Sequence, residues 1–208
     1  ARSTTVDIVG QQAMPFGEHL LFELRENPHF TFFVEICEDL WVPIPPSCDA
    51  ALAGATVILN LSASNITIAK DDYRKNLIAN QSARCLVSYL YTAAGTGESS
   101  TDLAWDGHAM VYENGNMIAE SERFRYDSQL IAADIDLERV TQERMRQNSF
   151  AQSMQRQRDE LRKFRRIPFN VDLPLTEPLL CRRQIDRSPY VPSVPALRDR
   201  RYYDAYNI

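Results

Sequence analysis

Three apolar runs alternate with stretches of helical spacing, and this alternation constrains the fold more than any other feature of the sequence. The runs cover residues 30–36, 55–61 and 86–91, and a helical pattern over residues 71–82 separates the last two. Short runs rich in β-branched and aromatic residues predict buried strands. Strands that alternate with helices predict an α/β fold, in which helices pack on a sheet.

An Asn-Gly pair predicts that part of this sheet is antiparallel. Asn114-Gly115 lies between two apolar runs, residues 108–112 and 116–120. Asn-Gly in such a position is the strongest short-range signal for a β-hairpin. We therefore predict a mixed sheet with helices packed on it. Residues 129–135 also have the composition of a strand and predict one more.

The composition changes near Asp136. Residues 137–146 and 152–166 have the polar pattern of surface helices, and prolines recur from Pro168 onward, which predicts extended backbone. We assign residues 1–135 to an α/β domain and residues 136–208 to a helical extension and linker. The chain starts without Met and its end carries no stop signal, so we expect it to be part of a longer protein.

The bulk composition excludes several classes of protein. A chain of 208 residues that is 44% hydrophobic can bury one substantial core. The net charge is -5, and the Arg-rich stretch 156–166 is interleaved with acidic residues, so we predict no nucleic-acid partner. No apolar run approaches the roughly 20 residues of a membrane span. Four cysteines without a CxxC pair are typical of a reduced, cytoplasmic protein.

Cys37 is the strongest candidate for chemistry because it ends the first predicted strand. Ligands of open α/β sheets bind at the carboxyl ends of strands, although a buried cysteine that only packs is the alternative interpretation. The adjacent carboxylates oppose a thiolate, so a nearby cation is required. His19, His29 and His108 fit no catalytic pattern, and we predict that they are surface or turn residues.

The segment around this cysteine resembles a known motif. Phe33-Val34-Glu35-Ile36-Cys37-Glu38-Asp39-Leu40-Trp41-Val42-Pro43 is similar to the cysteine motif of the nitrilase (carbon–nitrogen hydrolase) superfamily. More narrowly, it resembles the glutaminase domain of glutamine-dependent NAD synthetases. The similarity continues through residues 51–55, 59–64, 97–107 and 164–166, and residues 202–208 resemble the junction into the synthetase domain.

The resemblance implies a nitrilase-like α-β-β-α sandwich, present here only in part because the first strands and helices are missing. It also implies a Glu–Lys–Cys triad, in which the Cys37 thiolate attacks the side-chain amide of glutamine, releases ammonia and leaves a glutamyl thioester. Carried over by position, Glu38, Trp41, Ser64 and Lys70 would bind glutamine. The backbone N–H of Glu38 would stabilise the oxyanion together with the triad lysine.

These carried-over residues have simpler interpretations too. Lys70 stands where such enzymes often have Arg, so it lacks the bidentate fork and is alternatively a solvated side chain before a helix. Packing is the alternative for Trp41, and capping of a loop is the alternative for Ser64.

The implied partners extend beyond the glutaminase step. The resemblance implies glutamine as substrate, a synthetase domain as partner and a homo-oligomer, with no cofactor for the glutaminase step. ATP and Mg²⁺ are implied for the synthetase domain, yet this sequence has no phosphate-binding motif of the Ser-Gly-Gly type.

The sequence also departs from the family pattern at the triad. None of the 36 residues before Cys37 matches the triad Glu or Lys, and Glu18 and Glu23 stand in the wrong context. We therefore expect the isolated chain to be nearly inactive. The alternatives are a stand-alone nitrilase-type amidase that acts on another small amide, and a non-catalytic oligomerisation or docking module.

Overall fold

The computed structural model describes residues 4–98, 102–172, 183, 191–192 and 194–208. Two compact units divide the chain, Ala1–Glu177 and Pro178–Ile208. The strands within the described residues are β1 (Thr4–Ile8), β2 (Gln11–Phe16), β3 (Leu20–Leu24), β4 (Thr31–Ile36), β5 (Val57–Ser62), β6 (Ser88–Ala93), β7 (Ala109–Glu113), β8 (Asn116–Glu120) and β9 (Arg165–Phe169).

The helices account for most of the remaining regular structure. A 3₁₀ helix, Cys37–Trp41, follows β4 directly. The α-helices are α1 (Pro46–Leu52), α2 (Lys70–Cys85), α3 (Leu137–Arg146), α4 (Asn148–Arg156), α5 (Arg158–Leu161) and α6 (Pro195–Asn207). Helix α6 belongs to the second unit. Among the residues that the structure describes, no helix is long and apolar enough to cross a membrane.

The main sheet of the first unit has seven strands in the order β8-β7-β6-β5-β4-β3-β9. Strands β4, β5 and β6 are parallel neighbours, whereas β7 and β8 add the antiparallel hairpin. At the turn of this hairpin Asn114 and Gly115 both have positive φ, 46° and 84°. This conformation is typical of a two-residue hairpin loop. The predicted mixed sheet and hairpin are therefore confirmed.

The core lies between this sheet and the helices α1 and α2. Side chains alternate between the two faces of a strand, and one face of the central strands is buried. Buried residues of this face and of the helices include Leu21, Phe33, Ala50, Ile58, Ile78, Tyr89 and Met110. The other face is less covered: Leu61 is 55% exposed, and Phe22 stacks on Phe32 with both rings only half-buried.

Three predictions of secondary structure are wrong. The extended backbone predicted from Pro168 onward gives way to the helix α6 at Pro195–Asn207, because proline is tolerated in the first turn of a helix. Residues 129–135 form no strand, because their backbone pairs with none of the sheet strands and the segment lies largely exposed. The helix predicted over residues 152–166 is instead divided among α4, α5 and the strand β9. The backbone of Arg165 and Arg166 is extended because it pairs in parallel with β3.

Parts of other predictions lie outside the described residues. These are residues 173–182, which include Cys181, and residues 184–190 and 193 of the proline-rich segment, together with residues 99–101 of the family-like stretch 97–107. The boundary placed between residues 135 and 136 stays a prediction.

Candidate active site

Cys37 lies at the carboxyl edge of the sheet, where the parallel strands β4, β5 and β6 end. It is the first residue of the 3₁₀ helix, and its φ of 51° lies in the left-handed region. The backbone N–H of Ile36 donates to Asp39 Oδ2 at 2.8 Å, which fixes this turn. A non-glycine residue in this region is strained, and such strain clusters at functional sites.

The half-buried thiol of Cys37 contacts the end of the neighbouring strand. Ser62 Oγ donates to Cys37 Sγ over 3.6 Å, and Asn60 Nδ2 lies 3.5 Å from the carbonyl oxygen of Cys37. Sequence reasoning did not assign a role to either residue. The signal was available in β5: Ile58, Asn60 and Ser62 alternate onto the same face, so two polar side chains occupy its buried side.

Glu35 does not face the thiol but anchors the backbone behind it. Tyr89 Oη donates to Glu35 Oε1, the backbone N–H of Ser47 donates to Oε2 at 3.0 Å, and Asn60 Nδ2 donates to Tyr89 Oη at 3.1 Å. Burial raises the pKa of Glu35, and the hydrogen bonds from Tyr89 and Ser47 oppose the rise. This network joins β4, β5, β6 and α1 two residues before Cys37.

Lys70 and Trp41 meet beside the 3₁₀ helix. Lys70 is the first residue of α2, and its Nζ donates to the carbonyl oxygen of Asn65 at 2.6 Å and lies 5.3 Å from the centroid of the Trp41 ring. Burial lowers the pKa of Lys70, and so does Arg74; Cys37 acts in the opposite direction. The structure thus supplies a cation beside the 3₁₀ helix that Cys37 begins.

The other two predicted site residues lie in the same loops. Glu38 is exposed in the turn that Cys37 begins. Ser64 follows β5, and its backbone N–H donates to Ser62 Oγ at 3.2 Å. Because Ser62 Oγ also donates to Cys37 Sγ, it links Ser64 to the thiol. That Glu38, Trp41, Ser64 and Lys70 bind a substrate stays a prediction.

A buried ionic cluster beneath α2 was missed by sequence reasoning. Arg74 Nη1 donates to both Asp106 oxygens, at 3.1 and 3.0 Å, and to His108 Nδ1 at 3.3 Å. Because arginine only donates, Nδ1 of His108 is the acceptor, and its Nε2 donates to Glu120 Oε1 at 2.8 Å. Arg74 lies one helical turn after Lys70, so the cluster fixes the start of α2.

The prediction that His108 is a surface or turn residue is wrong. Its side chain is fully buried, and burial lowers its pKa. The reason lies in the backbone: the N–H of Ala93 donates to the carbonyl oxygen of His108 at 2.9 Å, which continues the pairing of β6 with β7 into the interior. Within the described residues no group of three or more His, Cys, Asp and Glu side chains is placed to hold a metal ion.

No family model matches the chain. Individual proteins do match the chain over most of its length. It is 47% identical over 200 residues to a glutamine-dependent NAD(+) synthetase of Mycobacterium tuberculosis, a match that covers 96% of this chain and 29% of the relative. Over nearly its whole length the chain is similar to part of the glutamine-dependent NAD(+) synthetases. The yeast relative from Saccharomyces cerevisiae is 31% identical over 188 residues, which are 88% of this chain and 25% of that protein. The chain thus spans less than a third of these relatives.

Solved structures confirm the fold of the chain. A glutamine-dependent NAD(+) synthetase from Cytophaga hutchinsonii matches with a TM-score of 0.50 and 25% identity, over 61% of this chain and 19% of that one. A carbon–nitrogen hydrolase from Helicobacter pylori matches with a TM-score of 0.51 and 18% identity, over 65% of this chain and 50% of that one. The predicted nitrilase-like α/β fold, present in part, is confirmed.

Proposed function

We propose that this chain carries the nucleophile of a glutamine amide hydrolysis that supplies ammonia for NAD synthesis. The observation that carries the proposal is the position of Cys37, a cysteine in left-handed conformation at the carboxyl edge of three parallel strands, with Lys70 and Trp41 beside it. The relationship to glutamine-dependent NAD(+) synthetases supports glutamine as the source of the amide.

The proposed reaction proceeds through a covalent thioester. A general base takes the proton of the Cys37 thiol, and the sulfur attacks the carbonyl carbon of the glutamine side-chain amide. The proton passes to the amide nitrogen, the C–N bond breaks, and ammonia leaves. Water then attacks the thioester, the C–S bond breaks, and glutamate and the free thiol are released.

The residues of the 3₁₀ helix and of α2 would position the substrate. The backbone N–H of Glu38 follows the nucleophile directly, so it is placed to donate to the oxyanion of the tetrahedral intermediate. Lys70 Nζ would pair with the carboxylate of glutamine. The ring of Trp41, already stacked on Tyr73 at 5.4 Å, would pack against the aliphatic part, and Ser64 would complete the pocket.

The glutamate that would act as general base and the lysine of the triad are matched by no residue of this sequence. We propose that both come from outside the residues of this chain and that the chain alone turns over glutamine extremely slowly, since loss of a triad member costs about a thousandfold or more. A synthetase domain, its ATP and Mg²⁺, and assembly into a homo-oligomer are parts of the same proposal. In this proposal the formation and hydrolysis of the thioester use neither the synthetase domain, nor ATP and Mg²⁺, nor assembly into an oligomer.

The test is covalent labelling of the full chain with diazo-oxo-norleucine, an electrophile that mimics glutamine, followed by intact mass measurement and peptide mapping. We expect one adduct, on Cys37. Cys37→Ser should take up no label, and Cys48→Ser, the matched control, should label like the wild type. Failure to form an adduct, or equal labelling of Cys48, Cys85 and Cys181, would contradict a preformed site.

Protection against labelling identifies the substrate class. We expect glutamine to slow the reaction of Cys37, whereas short aliphatic amides should not. Protection by such amides and not by glutamine would instead favour a stand-alone amidase. A chain that folds but neither labels nor binds glutamine would favour a non-catalytic module.

A further inference from the structure

A second pair of thiols, outside the surroundings of Cys37, lies where α1 packs on the end of α2. Gln81 Nε2 donates to Cys48 Sγ and to Cys85 Sγ, at 3.3 Å in each case, and to Ser47 Oγ at 2.9 Å. Both thiols also line the same cavity. One amide group therefore holds two sulfur atoms from different helices side by side.

A cavity gives small molecules access to this pair. Its volume is about 260 Å³, several times the ~30 Å³ that one water molecule occupies in the liquid. Cys48 is half-buried at its wall, whereas Cys85 is only 6% exposed. The other lining residues come from α1, α2 and α4, together with Gln147 between α3 and α4.

The two thiols differ in reactivity. The neighbouring Cys85 side chain lowers the pKa of Cys48, and Gln81 and the charge of Arg84 add to this effect. The Cys48 side chain, together with burial, raises the pKa of Cys85. Thiolate is the form that reacts with oxidants, so the more accessible Cys48 is the attacking sulfur and the buried Cys85 is the partner that follows.

We propose that Cys48 and Cys85 form an oxidisable dithiol site that hydrogen peroxide converts into an intramolecular disulfide. The Cys48 thiolate attacks one peroxide oxygen, the O–O bond breaks, and the departing hydroxide takes up a proton to become water, which leaves Cys48 as sulfenic acid. Cys85 sulfur then attacks Cys48 sulfur, the S–O bond breaks, and water leaves with the Cys85 proton. Two thiols are oxidised and one peroxide is reduced to two water molecules.

The disulfide would also affect Cys37. An S–S bond is about 2 Å long, so the two sulfurs must leave Gln81 Nε2 and approach each other, and we expect this to move α1 toward the end of α2. The residue before Cys48 is Ser47, whose backbone N–H holds Glu35 two residues before Cys37. We expect oxidation to slow the labelling of Cys37. This consequence rests on the proposed function, whereas formation of the disulfide does not.

The test of the site is titration of the full chain with hydrogen peroxide, alkylation of the remaining thiols, and peptide mapping without reduction. We expect the Cys48–Cys85 cross-linked peptide as the main product, roughly tenfold more abundant than any other oxidised cysteine peptide. A disulfide between other cysteines, a dimer linked through Cys48, or a Cys48 that stops at sulfenic or sulfinic acid in the wild type would overturn the proposal. Because the wild-type map decides this, the result does not depend on how a variant folds.

Two variants separate the two roles. In Cys85→Ser we expect Cys48 to accumulate as sulfenic acid, trapped by dimedone, without a cross-link. In Cys48→Ser we expect Cys85 to stay reduced at the same peroxide concentrations. Oxidation of Cys85 in that variant at the wild-type rate would overturn the assignment of Cys48 as the attacking sulfur.

The effect on Cys37 is measured as the rate of diazo-oxo-norleucine labelling before oxidation, after it, and after treatment with dithiothreitol. We expect a reversible decrease of about tenfold in the wild type, since small displacements of a reacting group cost rates of this order, and no decrease in Cys85→Ser. An unchanged rate after complete disulfide formation would overturn the coupling between the sites. Absence of labelling in the reduced protein would contradict the proposed function instead.

Discussion

At the scale of single residues, Glu35 shows how a buried carboxyl group links stability to pH. Its ordinary pKa is 4.5, and burial raises that value in the folded protein against the opposing hydrogen bonds from Tyr89 and Ser47. The folded state therefore binds the proton more tightly than the unfolded chain does. The stability that this group contributes is fully present below its unfolded pKa and is lost as the pH rises through the folded pKa.

Glu35→Gln should remove this dependence on pH. We expect the free energy of unfolding of the wild type to fall, relative to that of the variant, as the pH rises above the ordinary pKa of glutamate. The expected fall is about 1.4 kcal/mol for each pH unit by which burial raises the pKa of Glu35. Urea unfolding at a series of pH values measures it. Glu18→Gln, at an exposed position, is the control and should change stability by less than about 0.5 kcal/mol. Parallel curves for wild type and Glu35→Gln would contradict the argument.

Lys70 provides a second test at this scale. If its Nζ pairs with the carboxylate of glutamine, Lys70→Ala should raise the concentration of diazo-oxo-norleucine that half-saturates labelling by about tenfold or more, because a charge-assisted contact is lost. The maximal labelling rate should change less. Lys70→Arg should retain binding because guanidinium also pairs with carboxylate. Lys163→Ala serves as control, and an effect on the maximal rate alone would instead assign Lys70 to the chemical step.

The sequence allowed prediction of Cys37 but not of the groups that support it. Cys37 ends a run of apolar, β-branched and aromatic residues, so its place at a strand end follows from local pattern alone. Arg74 and Asp106 are 32 residues apart, and neither looks like an interior residue until the other is beside it. Burial of His108 likewise depends on backbone pairing with β6. Polar residues buried by distant partners leave no local signal.

At the scale of elements, the side chain of Arg144 joins α3 to the ends of α1 and α2. Arg144 donates through Nε to the carbonyl oxygen of Leu86 at 3.0 Å and through Nη2 to that of Ala55 at 2.6 Å. It also reaches the carbonyl oxygens of Ala51 and Cys85, each at 3.3 Å. These carbonyl groups lie at or just beyond the C-terminal ends of α1 and α2, where a helix leaves its last acceptors without the usual partner within the helix.

Arg144→Met should therefore destabilise the protein strongly. We expect a loss of about 3 kcal/mol, because hydrogen bonds from a charged donor disappear and buried carbonyl groups lose their partner. Urea unfolding followed by circular dichroism gives the value. Arg146→Met, in the same helix at a side chain that is 71% exposed, is the matched control and should stay within about 0.5 kcal/mol. Similar losses for both variants would contradict the role of Arg144.

The elements differ in how well the sequence predicts them. The central strands and the Asn-Gly hairpin follow from apolar pattern and turn chemistry. Strand β9 escaped prediction because Arg165, Arg166 and Pro168 are unusual in a strand, and only its place at the edge of the sheet beside β3 makes Pro168 acceptable. The segment 129–135 shows the opposite error, since a strand-like composition does not provide a pairing partner.

At the scale of the whole molecule, the net charge predicts how solubility changes with pH. The net charge is -5 at neutral pH, and the isoelectric point is about 5.3. Repulsion between copies vanishes near that pH, so we expect the lowest solubility there. Precipitation by polyethylene glycol across a pH series measures this. A minimum at neutral pH would mean that a surface patch, and not net charge, governs association.

The left-handed conformation of Cys37 determines which residues a selection for stability should favour at position 37. Glycine adopts this conformation without strain, whereas a residue with a side chain bears a cost of about 1 kcal/mol or more. In a library randomised at position 37 and selected only for heat resistance, we expect enrichment of Gly, and of Asn among residues with side chains. Selection for reaction with a glutamine analogue should retain Cys alone. That pair of outcomes would mean that chemistry favours Cys at position 37 while the backbone conformation favours another residue.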